Sequence, residues 1–338
     1  DNYNVAVGYN AGTAVTTGIQ NTLIGSLAGD ALTSSNDNTA VGYRALSNAT
    51  TGNENTAIGH TALFTNILSD RNVAVGVDAL SVHNQATSVD SYNTAVGYNS
   101  GAAVTTGVEN TLIGGLAGDA LTDADFNVAI GRGALTTDTL GSRSVAVGKN
   151  ALATQNFTSA TDVYNVAIGY EAGTAVTTGL YNTLIGARAG TSLTDADSNV
   201  AMGLDALTTD TLGSNSVAIG TGALNTQNFT SATDVYNTAV GHSAGTAVTT
   251  GVQNTFIGGL SGDAINTGTK NVAVGYGALT VDTKGSKSTA IGHEALRNQN
   301  LTSATDVFNV AVGFSAGNAV TTGALNTFIG ALSGDAVT

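Results

Sequence analysis

A chain of 338 residues with 44 glycines but no proline, cysteine or tryptophan is not collagen, which needs proline and a Gly-X-Y period. Its 42% apolar content is too high for a disordered linker, and its 24 acidic against 10 basic residues, a net charge of −14, repel phosphate and argue against nucleic-acid binding. The missing cysteines remove disulfides, thiolate metal sites and a cysteine nucleophile, and no apolar run approaches the roughly 20 residues that cross a bilayer as a helix.

From the N-terminus, the first element is Asn4-Val5-Ala6-Val7-Gly8, and it returns as Asn21-Thr22-Leu23-Ile24-Gly25 and onward to Asn326-Thr327-Phe328-Ile329-Gly330. The motif is Asn or Ser, Val or Thr, usually Ala, a bulky aliphatic residue, then Gly, and there are 19 copies. Successive motif glycines lie 17 residues apart except for four steps of 21, which end at Gly97, Gly169, Gly241 and Gly313. A period of 72 is therefore superimposed. It divides the chain into blocks at about 4–92, 93–164, 165–236, 237–308 and 309–338, the first carrying one additional 17-residue unit. Short regular periods of this kind mean stacked coils, so residues 1–338 read as a single repetitive solenoid segment. Asp1-Asn2-Tyr3-Asn4 matches Asp90-Ser91-Tyr92-Asn93, and Gly334-Asp335-Ala336-Val337-Thr338 matches Gly118-Asp119-Ala120-Leu121-Thr122. These matches lead to the expectation that the segment is part of a longer chain.

Each motif predicts a short strand closed by a turn, because Val, Thr and Ile favour strands and Gly favours turns. Helix is disfavoured, since no stretch keeps a 3.6-residue period. A second apolar site follows each motif in one of two forms. Either Ala-Leu sits three and four residues after the motif Gly, as in Ala45-Leu46, Ala134-Leu135 and Ala206-Leu207, or that Leu is Gly and a bulky residue sits seven after, as in Val15, Leu32, Val104, Leu121, Leu193, Ile265 and Val320. Along the motif strand, Val7, Ile24 and Val41 alternate with Ala6, Leu23 and Ala40. Both faces are apolar, so both are expected to be buried. A two-strand coil has one interior, and a thin roll buries little per residue, which favours parallel copies of the chain around an axis. At about 4.8 Å per coil the stack would form a rod of roughly 86 Å.

Asn4-Val5-Ala6-Val7-Gly8, Asn165-Val166-Ala167-Ile168-Gly169 and Ser216-Val217-Ala218-Ile219-Gly220 resemble the repeated signature of YadA-type trimeric autotransporter adhesin heads. Units such as Asn38-Thr39-Ala40-Val41-Gly42-Tyr43-Arg44-Ala45-Leu46 also resemble arrays in bacteriophage tail fibres, to which coils of 17 and 21 residues are closer. The resemblance covers essentially the whole chain. It implies a left-handed parallel β-roll of about 19 coils, a parallel homotrimer, and attachment to a host surface from a virion or a cell, outside the cytoplasm.

The four-residue insertions end in Asp90-Ser91-Tyr92, Asp162-Val163-Tyr164, Asp234-Val235-Tyr236 and Asp306-Val307-Phe308. Long loops of solenoids often form the binding face, so Tyr92, Tyr164, Tyr236 and Phe308 are candidate receptor contacts; the plainer reading has each ring covering the edge of a neighbouring coil. The residue after the motif Gly varies freely, which suggests exposure. Tyr9, Tyr98 and Tyr170 there are further candidates, since aromatic faces stack on sugar rings. Motif asparagines, including Asn93, Asn165, Asn237 and Asn309, are read as an amide ladder along the axis, and motif glycines, including Gly8, Gly97, Gly169, Gly241 and Gly313, as turn residues. Asp123-Ala124-Asp125 and Asp195-Ala196-Asp197 are read as turn aspartates rather than a cation site. Four histidines, at 60, 83, 242 and 293, form no paired motif, and no hydrolase or nucleotide-binding signature occurs.

The reading is therefore an all-β, non-enzymatic fibre segment without cofactor or metal, most simply from a phage tail fibre used in host attachment. Its expected partners are its own copies and a host surface glycan or protein receptor, with no nucleic acid and no membrane insertion by this segment. The alternative is a bacterial surface adhesin head that binds matrix or glycans. A polysaccharide-degrading β-helix and an ice-binding solenoid are less favoured.

Overall fold

A computed structural model describes residues 2–336; Asp1, Val337 and Thr338, which entered the comparison of the chain ends, lie outside the described residues. Each motif forms a three-residue strand, because Val, Ile and Thr accept the extended backbone and the following Gly ends it. Two compact units divide the chain, one ending at Asn165 and one beginning at Val166, one residue after the start of the third sequence block. The first unit holds nine motif strands, from Val5–Val7 to Val145–Val147, and the second holds ten, from Val166–Ile168 to Thr327–Ile329. No described residue is helical.

Within each unit every motif strand pairs in parallel with the next. The register carries each residue onto its repeat equivalent: Thr22↔Thr39, Leu23↔Ala40 and Ile24↔Val41 in the first unit, and Thr255↔Val272, Phe256↔Ala273 and Ile257↔Val274 in the second. One repeat is thus one rung, and each unit is a parallel β-solenoid. Four two-residue pairs supplement the motif strands at the insertions: Ser69–Asp70 with Val89–Asp90, Gly141–Ser142 with Thr161–Asp162, Gly213–Ser214 with Thr233–Asp234, and Gly285–Ser286 with Thr305–Asp306.

The motif glycine is fixed by a close approach. Gly97 has φ 143°, where a side chain is strained, and a Cβ on it would lie 2.5 Å from the carbonyl oxygen of Gly114 on the next rung. Gly8, Gly169, Gly241 and Gly313 would likewise meet backbone of the next motif glycine within 2.6 Å.

The two apolar patterns of the sequence have a common cause in volume. Where the central motif residue is Ala and that of the next rung is Ala too, as at Ala40 and Ala57, the fourth residue after the motif Gly is a buried Leu such as Leu46. Where the central residue is large, that position is Gly: a Cβ on Gly29 would lie 2.8 Å from Leu23, and one on Gly118 would lie 2.7 Å from Leu112. The same large side chain also fills the notch on the rung before it, since Gly12 faces Leu23, Gly101 faces Leu112 and Gly245 faces Phe256 at 2.7 Å each. One Leu or Phe therefore packs against two glycine notches, as close-packed interiors require.

Within the chain the motif strand buries one face: its central residue is buried, but the bulky residue after it is only half-buried, with Ile24 and Ile58 39% and Ile257 41% exposed. The coil closes around a single interior, so alternate side chains of the strand face outward.

Candidate functional site

The ladder of motif amides runs along the interior of each unit. The Asn21 Oδ1 accepts the backbone N–H of Asn38 at 3.0 Å and its Nδ2 at 3.1 Å, while the Asn38 Nδ2 also donates to the Gly52 carbonyl at 2.9 Å. Asn93 accepts from Asn110 in the same way, Asn237 from Asn254, and Asn309 from Asn326. Asn165 is buried and donates its amide to Gln155.

The three Ser exceptions have a reason that the sequence did not disclose. The Ser144 Oγ accepts from the Gln155 Nε2 at 3.0 Å, the same nitrogen donates to the Asp138 Oδ2 at 2.6 Å, and the Gln155 Oε1 accepts from the Asn165 Nδ2 at 2.9 Å. The other Asp138 oxygen accepts the N–H of Gly141 at 3.1 Å and that of Phe157 at 3.0 Å. Asp210, Ser216, Gln227 and Asn237 repeat the network, as do Asp282, Ser288, Gln299 and Asn309. All these residues are buried, and the carboxylate ties the coil before the insertion to the insertion itself.

Outside, the insertions of each unit place its candidate aromatics on one edge. Tyr92, Tyr164, Tyr236 and Phe308 are 48–54% exposed and take the left-handed backbone conformation. They do not stand alone. The Arg71 guanidinium lies 5.6 Å from the Tyr92 ring centre and pairs with Asp90. Arg143 lies 5.1 Å from Phe126 and 5.8 Å from Tyr164 and pairs with Asp162. Lys287 lies 5.0 Å from Phe308 and pairs with Asp306 at 2.6 Å. Beside Tyr236 the equivalent residue is Asn215, which hydrogen-bonds Asp234. Arg71 also reaches Glu54 at 3.0 Å and holds that carboxyl below its usual range. Sequence reasoning missed these cations. Their signal was a basic residue 19 positions before the insertion Asp in three of the four insertions.

In the second block this edge is a groove lined by Asp123, Asp125, Phe126, Arg143, Thr161 and Asp162. Its acids serve the stack: Asp123 accepts from the Thr106 hydroxyl and Asp125 from the Val108 N–H. Asp195 and Asp197 do the same for Thr178 and Leu180. Among the described residues no group of three or more His, Cys, Asp or Glu is placed to hold a metal ion.

Tyr9, Tyr98 and Tyr170 are exposed but lie, in each unit, in a different column, at the other end of the motif strands from Tyr92 and its equivalents. In that column neighbouring rings stack: Tyr43 on His60 at 5.4 Å, and Tyr276, His293 and Phe314 in a run at 5.5 and 5.3 Å. Within each unit the candidate aromatics therefore fall on two columns rather than in one site. His83 is buried, with neither ring nitrogen hydrogen-bonded. Searches against protein-family models and curated proteins found no match.

Proposed function

We propose that this chain is a non-enzymatic segment of a left-handed, parallel homotrimeric fibre used for attachment outside the cell, most simply a phage tail fibre. The observation that carries the reading is the outward face of the motif strands. Rung after rung within each unit presents a half-exposed Val, Ile or Met flanked by Val or Thr. A continuous apolar stripe is more than a monomer normally leaves in water, and copies of the same chain, with the same rung spacing, could cover it along its whole length. Attachment is supported by the exposed aromatic and charged residues that recur once per block. The non-enzymatic reading is supported by the groove carboxylates, which are occupied by contacts within their own stack.

A bacterial surface adhesin head is the second reading, favoured by the motif itself, and the two differ in flanking sequence: a chaperone domain points to a virion and an outer-membrane barrel anchor to a cell. Sedimentation equilibrium of the purified chain tests the oligomer. A trimer is expected, and Ile185→Asp, which places a charge on the stripe, should dissociate it. A monomeric parent chain would end this reading.

A further inference from the structure

The edge that carries the insertions changes its charge along the sequence. At the positions lining the second-block groove, the third block has Asp195, Asp197, Ser198, Asn215 and Asp234, and is purely acidic. The fourth block has Thr267, Thr269, Lys270, Lys287 and Asp306 instead. Both turn acids have become hydroxyls, and the position of Phe126 has become a lysine. Three of the four lysines in the chain are Lys270 and Lys287, at these positions, and Lys284, three residues before Lys287. Lys284 stands where the earlier blocks have Leu68, Leu140 and Leu212.

This arrangement is costly on its own terms. Lys270 and Lys287 occupy the same column on adjacent rungs, joined by the Lys287 N–H to the Thr269 carbonyl at 3.0 Å. Like charges on neighbouring strands destabilise a sheet. In the other blocks the same pair of positions is Glu54 with Arg71, Phe126 with Arg143, and Ser198 with Asn215, none of which repel. Asp306 takes only Lys287, and Lys270 and Lys284 form no ion pair among the described residues. Only one of the two facing lysines is thus compensated, and local conflicts of this kind concentrate at functional or strained sites.

We propose that the fourth-block edge is a binding site for an acidic polysaccharide, one bearing sulfate or carboxylate groups. Lys270 and Lys284 supply charge that the fold does not neutralise. Thr267, Thr269 and Thr305 are hydroxyls at partly or fully exposed positions, suited to hydrogen bonds with sugar, and the Phe308 ring is 48% exposed as a stacking surface. Three lysines suffice for isolated anionic groups on a sugar chain. The net charge of the whole chain, −14 with these lysines included, disfavours the dense phosphate of duplex DNA or an anionic membrane. The assignment rests on the attachment reading above and names the class of surface recognised.

The test is direct binding of the intact chain, by calorimetry at near-physiological salt, to dextran sulfate and polygalacturonate, with neutral dextran, phosphatidylserine vesicles and duplex DNA alongside. The decisive variant combines Lys270→Ser, Lys284→Leu and Lys287→Asn, the residues that the third block carries at these positions, so the fold already accommodates them. Binding to one or both acidic polysaccharides is expected, with at least a tenfold loss in the triple variant and no loss in Arg297→Ala. Transplanting the site, by Asp195→Thr, Asp197→Thr, Ser198→Lys, Leu212→Lys and Asn215→Lys together, should add a second site per chain. Equal binding by the triple variant, equal binding of neutral dextran, or tighter binding of vesicles or DNA would overturn the proposal. A monomeric chain that still binds in a lysine-dependent way would overturn the fibre reading and leave the site standing.

Discussion

The insertion of the first block and those of the three later blocks occupy the same place in the coil but are stabilised differently. In the later blocks a buried Asp, Gln, Ser and Asn form a closed network, and Phe157, Phe229 or Leu301 plugs the insertion at 7–8% exposure. In the first block the equivalents are Asn66, His83, Asn72 and Asn93, with Gln85 in place of the plug. Asn66 holds only its own turn, through the N–H and hydroxyl of Ser69, whereas Asp138 reaches forward to Gln155 and Phe157. His83 is left with two unpaired ring nitrogens. The same backbone can therefore be held by a satisfied network or can tolerate an incomplete one, and the difference lies in whether a carboxylate bridges two coils.

The largest effect should come from removing that bridge. Asp210→Ala strands the N–H groups of Gly213 and Phe229 and the amide of Gln227, and should cost about 4 kcal/mol of local stability. Asn66→Ala, which frees only Ser69, should cost about 2 kcal/mol. Hydrogen exchange of the amides in each insertion measures both, since long repeat arrays need not unfold in one step; equal losses would erase the distinction.

Acid should separate the two kinds of insertion next. Burial pushes His83 down to about 4, and the Thr105 backbone, the one neighbour favouring the charged ring, offsets little of this. In the unfolded chain the ring titrates near 6.5. The unfolded state therefore binds a proton first: the first insertion keeps its full stability above pH 6.5 and loses about 3 kcal/mol as the pH falls to 4. His83→Gln should flatten that profile. If exchange in residues 76–93 were independent of pH over this window, after correction for intrinsic rates, the buried neutral ring would be the wrong picture.

A smaller effect is expected from importing the first-block residue into a later plug. Phe229→Gln loses most of one buried aromatic side chain and should cost about 2 kcal/mol in the third-block insertion. The outer edge should matter least. Arg143→Asn, which copies Asn215 of the third block, removes a pair that is more than a third exposed, and exposed pairs contribute little to stability. Unchanged exchange in the second block is expected, and a clear loss would move the cation from a surface role to a structural one.

Much of this was legible beforehand because it repeats. The strand positions and the asparagine ladder follow from residues that recur at most rungs, the 72-residue period from insertions that recur once per block, and Asp123 and Asp125 behave as turn residues. Asp138, Asp210 and Asp282 escaped notice because aspartate is ordinarily exposed; their burial depends on a glutamine 17 residues away and a backbone N–H 19 away. The cations of the outer edge were missed for the same reason, since Arg71 meets Tyr92 only after a 21-residue coil has closed.

Sequence alone determined the rungs: a short β-forming motif with a closing glycine specifies local strand and turn, and a fixed spacing makes equal units stack. It also established that the two faces of each strand are apolar. Only the tertiary structure decided which face is inside, because alternation makes neighbouring side chains opposite without saying to which side the coil closes. Closure in each unit turned Leu23, Ala40 and their equivalents inward and left the Val and Ile that flank them half-exposed. It also set the partners of the buried polar groups, because residues distant in sequence become neighbours only when one turn settles on another.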